Sequence, residues 1–204
     1  MLTQHHKPRV AFQGERGAFS EEAAVRMMGE QIELVPRVTF AALFSSVDDH
    51  VADYLVAPVE NTIAGVVRAS VSLLEKSSLV ITNEVAIPIA QHLIACPGVS
   101  FAELEAVQSH PVALAQCSRF FAENPQLRQV AADDTAGSVA EVINRSERTI
   151  AAIAGRRAAE LYGGIILKEN IQDFTQNFTR FVLLSPSELL NNEPNLSLAK
   201  EPEK

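Results

Sequence analysis

Short apolar runs alternate along this chain with stretches of helical periodicity, a pattern that predicts α/β architecture. The first run, 9–13, reads as a strand. Gly14-Glu15-Arg16-Gly17 reads as a turn into a helix over 19–28, with Ser20 near its start. A second strand over 32–35 is ended by Pro36, and Thr39 is placed to cap a helix reaching Asp48. The apolar run 54–59 predicts a buried strand ending at Glu60-Asn61. A helix over 65–76 and an extended segment over 79–89 follow. From about Ile89 the pattern restarts, with strands over 93–96 and 106–108 and a helix over 111–121 opened by Pro111. A strand over 130–132 then leads to a helix over 135–145 capped by Thr135. Strand 150–154, helix 156–161, strand 165–168 and a last strand over 178–184 complete the order. The stretch 191–204 is polar and Pro-broken, and disorder is expected there. Two similar α/β halves around a cleft fit this order, although no internal sequence repeat is visible.

Composition narrows the function classes. Of 204 residues, 47% are hydrophobic and 21% charged, so the bulk can bury a core and is not disordered. The longest charge-free run, 85–102, is interrupted by Pro88, Gln91, His92 and Pro97, which excludes a membrane-spanning helix. A net charge of −8 repels a phosphate backbone, so no nucleic-acid partner is expected. An anionic small molecule would need local donors acting against that field. Cys96 and Cys117 are too few for a disulfide scaffold or a zinc site and read as reduced core thiols. His5 and His6 read as part of a flexible end. The start of the chain has no apolar leader, and a cytoplasmic location is expected.

Several catalytic signatures are missing: G-x-S-x-G, the phosphate-binding G-x-x-x-x-G-K-[ST], H-E-x-x-H, and any Cys/His cluster at ligand spacing. Gly14 to Gly17 before a helix lacks dinucleotide spacing, though N–H groups there could hold a carboxylate. Polar groups gather at strand ends and helix starts: Glu60-Asn61-Thr62, Ser109-His110-Pro111, Asp133-Asp134-Thr135 and Asn177-Phe178-Thr179-Arg180. Ligands of open α/β folds sit outside the carboxyl ends of strands; each of these residues could equally be a helix cap. In the last group Thr179 and Phe181 share one strand face, and Arg180 faces the other way unless the strand is bent.

These segments resemble prephenate dehydratase catalytic domains over roughly residues 9–185. The matching stretches stand in the family's order: Gly14-Glu15-Arg16-Gly17-Ala18-Phe19-Ser20; Pro58-Val59-Glu60-Asn61-Thr62 with Gly65; Glu84, Ile87 and His92; Ser109-His110-Pro111 with Ala115-Gln116-Cys117; Thr135-Ala136; 151–154; Tyr162-Gly163; Ile171-Gln172-Asp173; and Asn177-Phe178-Thr179-Arg180-Phe181. Departures fall at Val112, where the family usually has Gln, at the run after His92, and at Gly137. They bear on substrate preference more than on activity.

The resemblance implies an α/β fold of two α/β lobes around a cleft, type II periplasmic-binding-protein-like. Lobe one would comprise about 1–86 plus 175–190, and lobe two about 87–174. It implies conversion of prephenate to phenylpyruvate, CO2 and water in phenylalanine biosynthesis. Aromatisation drives that reaction, so no metal and no cofactor is expected. Thr179 matches the family's catalytic Thr, a hydrogen-bond donor to the departing hydroxyl. Asn61, Thr62, Gln116 and Thr135 match family pocket positions and would bind substrate, and Arg180, the best local cation, would bind a substrate carboxylate through its planar fork. Glu60, His110 and Phe181 would support them. His92 reads either as a buried structural histidine or as a pocket residue.

The family usually carries a C-terminal phenylalanine-binding ACT domain. A naturally unregulated short form and a separated catalytic domain are both compatible with 204 residues. A homodimer or larger homo-oligomer is expected. Rival readings are an arogenate dehydratase, with Val112 the position to inspect, a ligand-binding module, and a prephenate decarboxylase. Those decarboxylases lack the Thr-Arg-Phe motif present here.

Overall fold

The computed structural model describes residues 7–192. His5, His6 and most of the tail fall outside them. Among the described residues the chain forms two sheets. The first half runs β1 (Arg9–Gln13), α1 (Phe19–Met28), β2 (Glu33–Arg37), α2 (Phe40–Asp48), β3 (Tyr54–Asn61), β4 (Gly65–Val66), α3 (Arg68–Leu74) and β5 (Val80–Pro88). The second runs β6 (His92–Ala95), β7 (Ala106–Ser109), α4 (Pro111–Ala115), α5 (Ser118–Glu123), β8 (Arg128–Ala131), α6 (Thr135–Asn144), β9 (Ile150–Ala154), α7 (Arg156–Tyr162) and β10 (Ile165–Lys168). The chain then returns to the first sheet as β11 (Phe178–Ser185), followed by α8 (Ser187–Asn192).

The first sheet has the order β2-β1-β3-β11-β5, with β4 on β3; the second has β10-β6-β9-β7-β8. Read from its other edge, the second repeats the first. A central strand lies parallel to both neighbours (β1 between β2 and β3, β7 between β8 and β9), and an antiparallel strand (β11, β6) follows. Two lobes of one topology, joined by crossovers at 89–91 and 169–177, make the two-lobed α/β architecture of a type II periplasmic-binding fold. Apolar clusters cover both faces of the first sheet, one around Val10, Val56 and Leu183, the other around Leu43, Leu55 and Leu184. A third fills the second lobe and takes in Phe12 and Ala18 from the first.

Most elements match the sequence pattern, and the differences have local causes. Pro36 does not end its strand: it lies inside β2, opposite Phe12. As an edge strand, β2 tolerates a residue that lacks an N–H. The helix expected over 65–76 starts only at Arg68, because Gly65 (φ +78°) turns the chain back so that Gly65-Val66 pair with Asn61 and Glu60. The helix expected over 111–121 breaks into α4 and α5. The Asp173 carboxylate accepts from the Ser118 and Arg119 N–H groups, and the Asp173 N–H donates to the Gln116 carbonyl at 2.7 Å. That break is set by a residue more than fifty positions away. Thr135 is not the cap of α6. Asp134 is, with Oδ1 accepting from the Gly137 N–H at 2.6 Å, and Thr135 is the first helical residue. Part of the expected tail, Asn191-Asn192, is helical in α8. Cys96 and Cys117 are free and buried, and burial pushes the Cys117 thiol up to about 12.

One seam locks the lobes together. Glu21, fully buried, takes Arg16 Nε at 2.7 Å and the Gly17 N–H at 2.9 Å on one oxygen. Its other oxygen takes Arg157 of α7 at 2.7 and 2.9 Å. Burial alone would raise this carboxyl, but bonds from Arg16, Gly17 and Arg157 outweigh it and hold the pKa below the usual range. Gly17 (φ +85°) lies so close to α7 that a Cβ would meet Ala158 Cα at 2.9 Å. No helix among the described residues is long and apolar enough to cross a membrane.

Candidate active site

Between the lobes lies a cavity of about 450 Å³ at the carboxyl ends of β1, β3 and β8. The first lobe contributes Gln13, the start of α1 (Ala18, Phe19, Ser20), Pro58, Asn61 and the turn 64–67, and β11 contributes Thr179 and Phe181. The second lobe contributes His110, Val112, Gln116 and the start of α6 (Asp133, Asp134, Thr135). Ile89 and Gln91 line it from the crossover. Six of the ten residues singled out from the sequence are therefore brought together: Thr179, Asn61, Gln116, Thr135, His110 and Phe181.

Thr179 sits on an interior strand and is 9% exposed. Its Oγ1 accepts from Asn61 Nδ2 at 2.9 Å. A hydroxyl carries one proton, and no protein acceptor takes this one among the described residues. With a lone pair occupied by Asn61, Thr179 is set as a donor toward the cavity. Asn61 is fully engaged by the protein itself. Its Nδ2 also reaches Asn177 Oδ1 at 2.7 Å and the Phe178 carbonyl at 3.1 Å. Its Oδ1 accepts from the Ile63 and Ala64 N–H groups. Asn61 therefore orients Thr179 and has no bonding capacity left for a ligand. Asn177, 1% exposed, passes the network to Gln116 Oε1 at 3.3 Å, leaving the Gln116 N–H groups without a protein acceptor. Asn177 has no role in the sequence reading. Its signal is the Asn directly before Phe178-Thr179-Arg180.

Four of the ten do not line the cavity. Thr62 pins the returning crossover: its Oγ1 accepts from the Phe178 N–H at 3.0 Å. Arg180 points to the opposite face of β11, as strand alternation requires. It reaches Glu84 at 3.3 Å and Glu60 at 3.7 Å across the two neighbouring strands. Glu60 is thereby Arg180's partner and lies outside the cleft. His92 is 4% exposed, and its Nδ1 accepts from the Asn170 N–H at 3.2 Å. Burial, then the charge of Arg156, lowers its pKa, which fits the buried structural reading. His110 lines the cavity and caps α4, its Nδ1 accepting from the Val112 N–H at 3.2 Å.

Charge at the cavity runs against the sequence expectation. Among the described residues no Lys or Arg lines it, and its carboxylates are Asp133 and Asp134. Donors for an anion are instead Thr179, Gln116, Thr135, Ser20 and the open N–H groups at the starts of two ten-residue helices, α1 and α6. Phe19, Phe40, Pro58, Ile89 and Phe181 form apolar walls. The arrangement suits a flat, largely apolar, oxygen-rich molecule that needs one hydrogen bond at a defined point.

Known proteins resemble this chain over most of its length. The family model described as prephenate dehydratase matches residues 10–188. Arogenate dehydratase 1 of Petunia hybrida is 42% identical over 178 residues, 87% of this chain and 42% of that protein. A bifunctional chorismate mutase/prephenate dehydratase of Aquifex aeolicus is 36% identical over 188 residues, 92% of this chain and 51% of that protein. The chain thus spans about half the length of the curated relatives it matches. The crystal structure of a prephenate dehydratase of Arthrobacter aurescens in complex with L-Phe superposes with a TM-score of 0.78. It is 28% identical, with 96% of this chain and 62% of that one covered.

Proposed function

The chain belongs to the prephenate dehydratase family, and we propose that its cleft converts prephenate to phenylpyruvate, CO2 and water in phenylalanine biosynthesis. The observation that carries this reading is the Asn61–Thr179 hydrogen bond, which leaves the Thr179 hydroxyl proton to be donated into the cavity beside the apolar walls.

Prephenate is a dianion with a ring carboxylate and a ring hydroxyl on opposite carbons. Loss of the hydroxyl as hydroxide, with its electron pair, and of the carboxylate as CO2 makes the ring aromatic. The C–CO2 bonding pair enters the ring as the C–O bond breaks, and one proton from solvent turns hydroxide into water. Thr179 donates to the leaving oxygen as charge develops on it. A donor of this kind contributes about 10²- to 10³-fold in rate. The starts of α1 and α6, with Thr135 and Gln116, hold the side-chain carboxylate. The apolar walls hold the ring and leave its carboxylate poorly solvated, which favours departure of CO2. Asn61 and Asn177 position Thr179. We place the enzyme in the cytoplasm as a homodimer, in keeping with the family resemblance; light scattering tests the assembly.

A second substrate has specific support. Arogenate carries an ammonium where prephenate carries a keto oxygen. The Asp133 carboxylate lines the cavity and makes no hydrogen bond among the described residues. An ammonium beside it, with its carboxylate at the start of α6, is a complementary arrangement. Mass-spectrometric identification of products from prephenate and, separately, from arogenate at neutral pH tests both. Phenylpyruvate or phenylalanine above the enzyme-free control supports the dehydratase reading. A decarboxylated product that retains the hydroxyl overturns it.

A further inference from the structure

Gln91 combines three features found together nowhere else among the described residues. It is 3% exposed, it lines the cavity, and its Oε1 is buried without a hydrogen-bond partner. The other unpartnered buried side-chain atom, Ser70 Oγ in α3, does not line the cavity. Among the described residues the Gln91 side-chain nitrogen also donates to no protein acceptor, whereas its backbone is fully engaged. The Gln91 N–H donates to Gln172 Oε1 at 2.9 Å, and the carbonyl accepts from the Ile171 N–H at 2.9 Å. These two bonds tie the outgoing crossover to the returning one. The amide is therefore held in place by its backbone and left unsatisfied at its tip. A buried polar group in that state costs stability, so an apolar residue of the same size would be preferred there if folding alone were at stake.

We propose that Gln91 is a substrate-binding residue, its buried Oε1 accepting from a hydroxyl or ammonium group of the molecule in the cleft and its Nε2 donating to a carboxylate oxygen of the same molecule. Resting on the dehydratase reading only for the ligand's identity, the assignment follows from the donor inventory. Among the described residues no Lys or Arg lines the cavity, so ligand oxygens are met by neutral donors, and the Gln91 side-chain amide lines it with neither end bonded to the protein. Its place on the crossover puts this contact on the segment that joins the lobes.

The test uses Gln91→Met and Gln91→Leu, which keep most of the side-chain volume and remove the amide. A structural amide and a ligand-binding amide give opposite signatures. The proposal expects both variants to melt at or above the parent's temperature without ligand. It expects KM for the turned-over substrate, and the calorimetric Kd for phenylpyruvate, to rise about tenfold. It expects kcat within about threefold of the parent, the pattern of lost ground-state binding. Melting temperatures that fall in both variants overturn it, because the amide is then holding the fold. Unchanged KM and Kd overturn it as well. A parent that turns over neither prephenate nor arogenate instead overturns the dehydratase reading. The phenylpyruvate Kd, compared between parent and variants, then still judges Gln91, and a parent that binds no phenylpyruvate overturns both.

Discussion

The two lobes share a strand topology but furnish the cleft differently. The first lobe builds on long strands, eight or nine residues in β3, β5 and β11, and its polar site groups, Asn61 and Thr179, project from paired positions of β3 and β11. The second builds on strands of four or five residues, and what it presents are helix starts: His110 before α4 and Asp134-Thr135 at α6. A side chain fixed by ladders on both sides keeps one position, which suits a group that must meet a single departing atom. Open N–H groups at a helix start accept an anion over a broader range of poses, which suits recognition. On the proposed function, this division puts the proton donor on the first lobe and shares recognition between the start of α1 and the second lobe, with Glu21 holding the two in register.

Removing that register is expected to have the largest effect. Glu21→Ala removes a buried carboxylate that accepts from Arg16, Gly17 and Arg157, and a loss of about 3 kcal/mol in denaturant unfolding is expected. The pH dependence follows the same group. Its pKa is depressed in the folded state, so its contribution is present above the unfolded carboxyl pKa, about 4.5. It is lost as pH falls through the lower folded value. Glu21→Gln should flatten the acid limb of a stability–pH profile; an unchanged limb would show that other carboxylates set it.

Thr179→Ala tests the chemistry side. A fall in kcat of about 10²- to 10³-fold with KM nearly constant is expected in steady-state assays. Equal losses in a second-lobe variant such as Thr135→Ala would erase the distinction between the lobes. Asp133→Asn sharpens the recognition side: kcat/KM for arogenate should drop about tenfold relative to prephenate, since a charge pair worth about 1.4 kcal/mol is removed. An unchanged ratio would put substrate choice elsewhere, with Val112 on the cavity wall next to be tried. The smallest effect belongs to Arg180→Gln. Its ion pairs are half-exposed and lie on the face of β11 away from the cleft, so stability should change by about 0–1 kcal/mol. Turnover should fall at least tenfold less than in Thr179→Ala. A Thr179-sized loss would restore the sequence expectation that this cation binds substrate.

Arg180 shows what kind of inference the chain permitted. Alternation along a strand is local, so the sequence correctly separated Thr179 and Phe181 from Arg180, while its charge alone assigned Arg180 to a carboxylate. The pairing of β11 between β3 and β5 supplies Glu60 and Glu84 instead, and that pairing joins positions about a hundred residues apart. Thr62 and Asn61 stand side by side in the sequence, yet one pins a crossover and the other orients Thr179. Gln91 looked like no more than a polar interruption of a charge-free run.

Hydrophobic periodicity, turn residues and the Thr39 cap depend on a few neighbouring positions, so the sequence by itself determined the α/β class, most strand and helix limits and the family. Tertiary structure alone decided the break at Gln116-Cys117, the Glu21 seam, the cation-free lining of the cleft and the donor set of Thr179. Each of these depends on a partner brought close by the two crossovers. Hydrogen bonds and ion pairs act over a few ångströms in space, and distance along the chain carries no record of them.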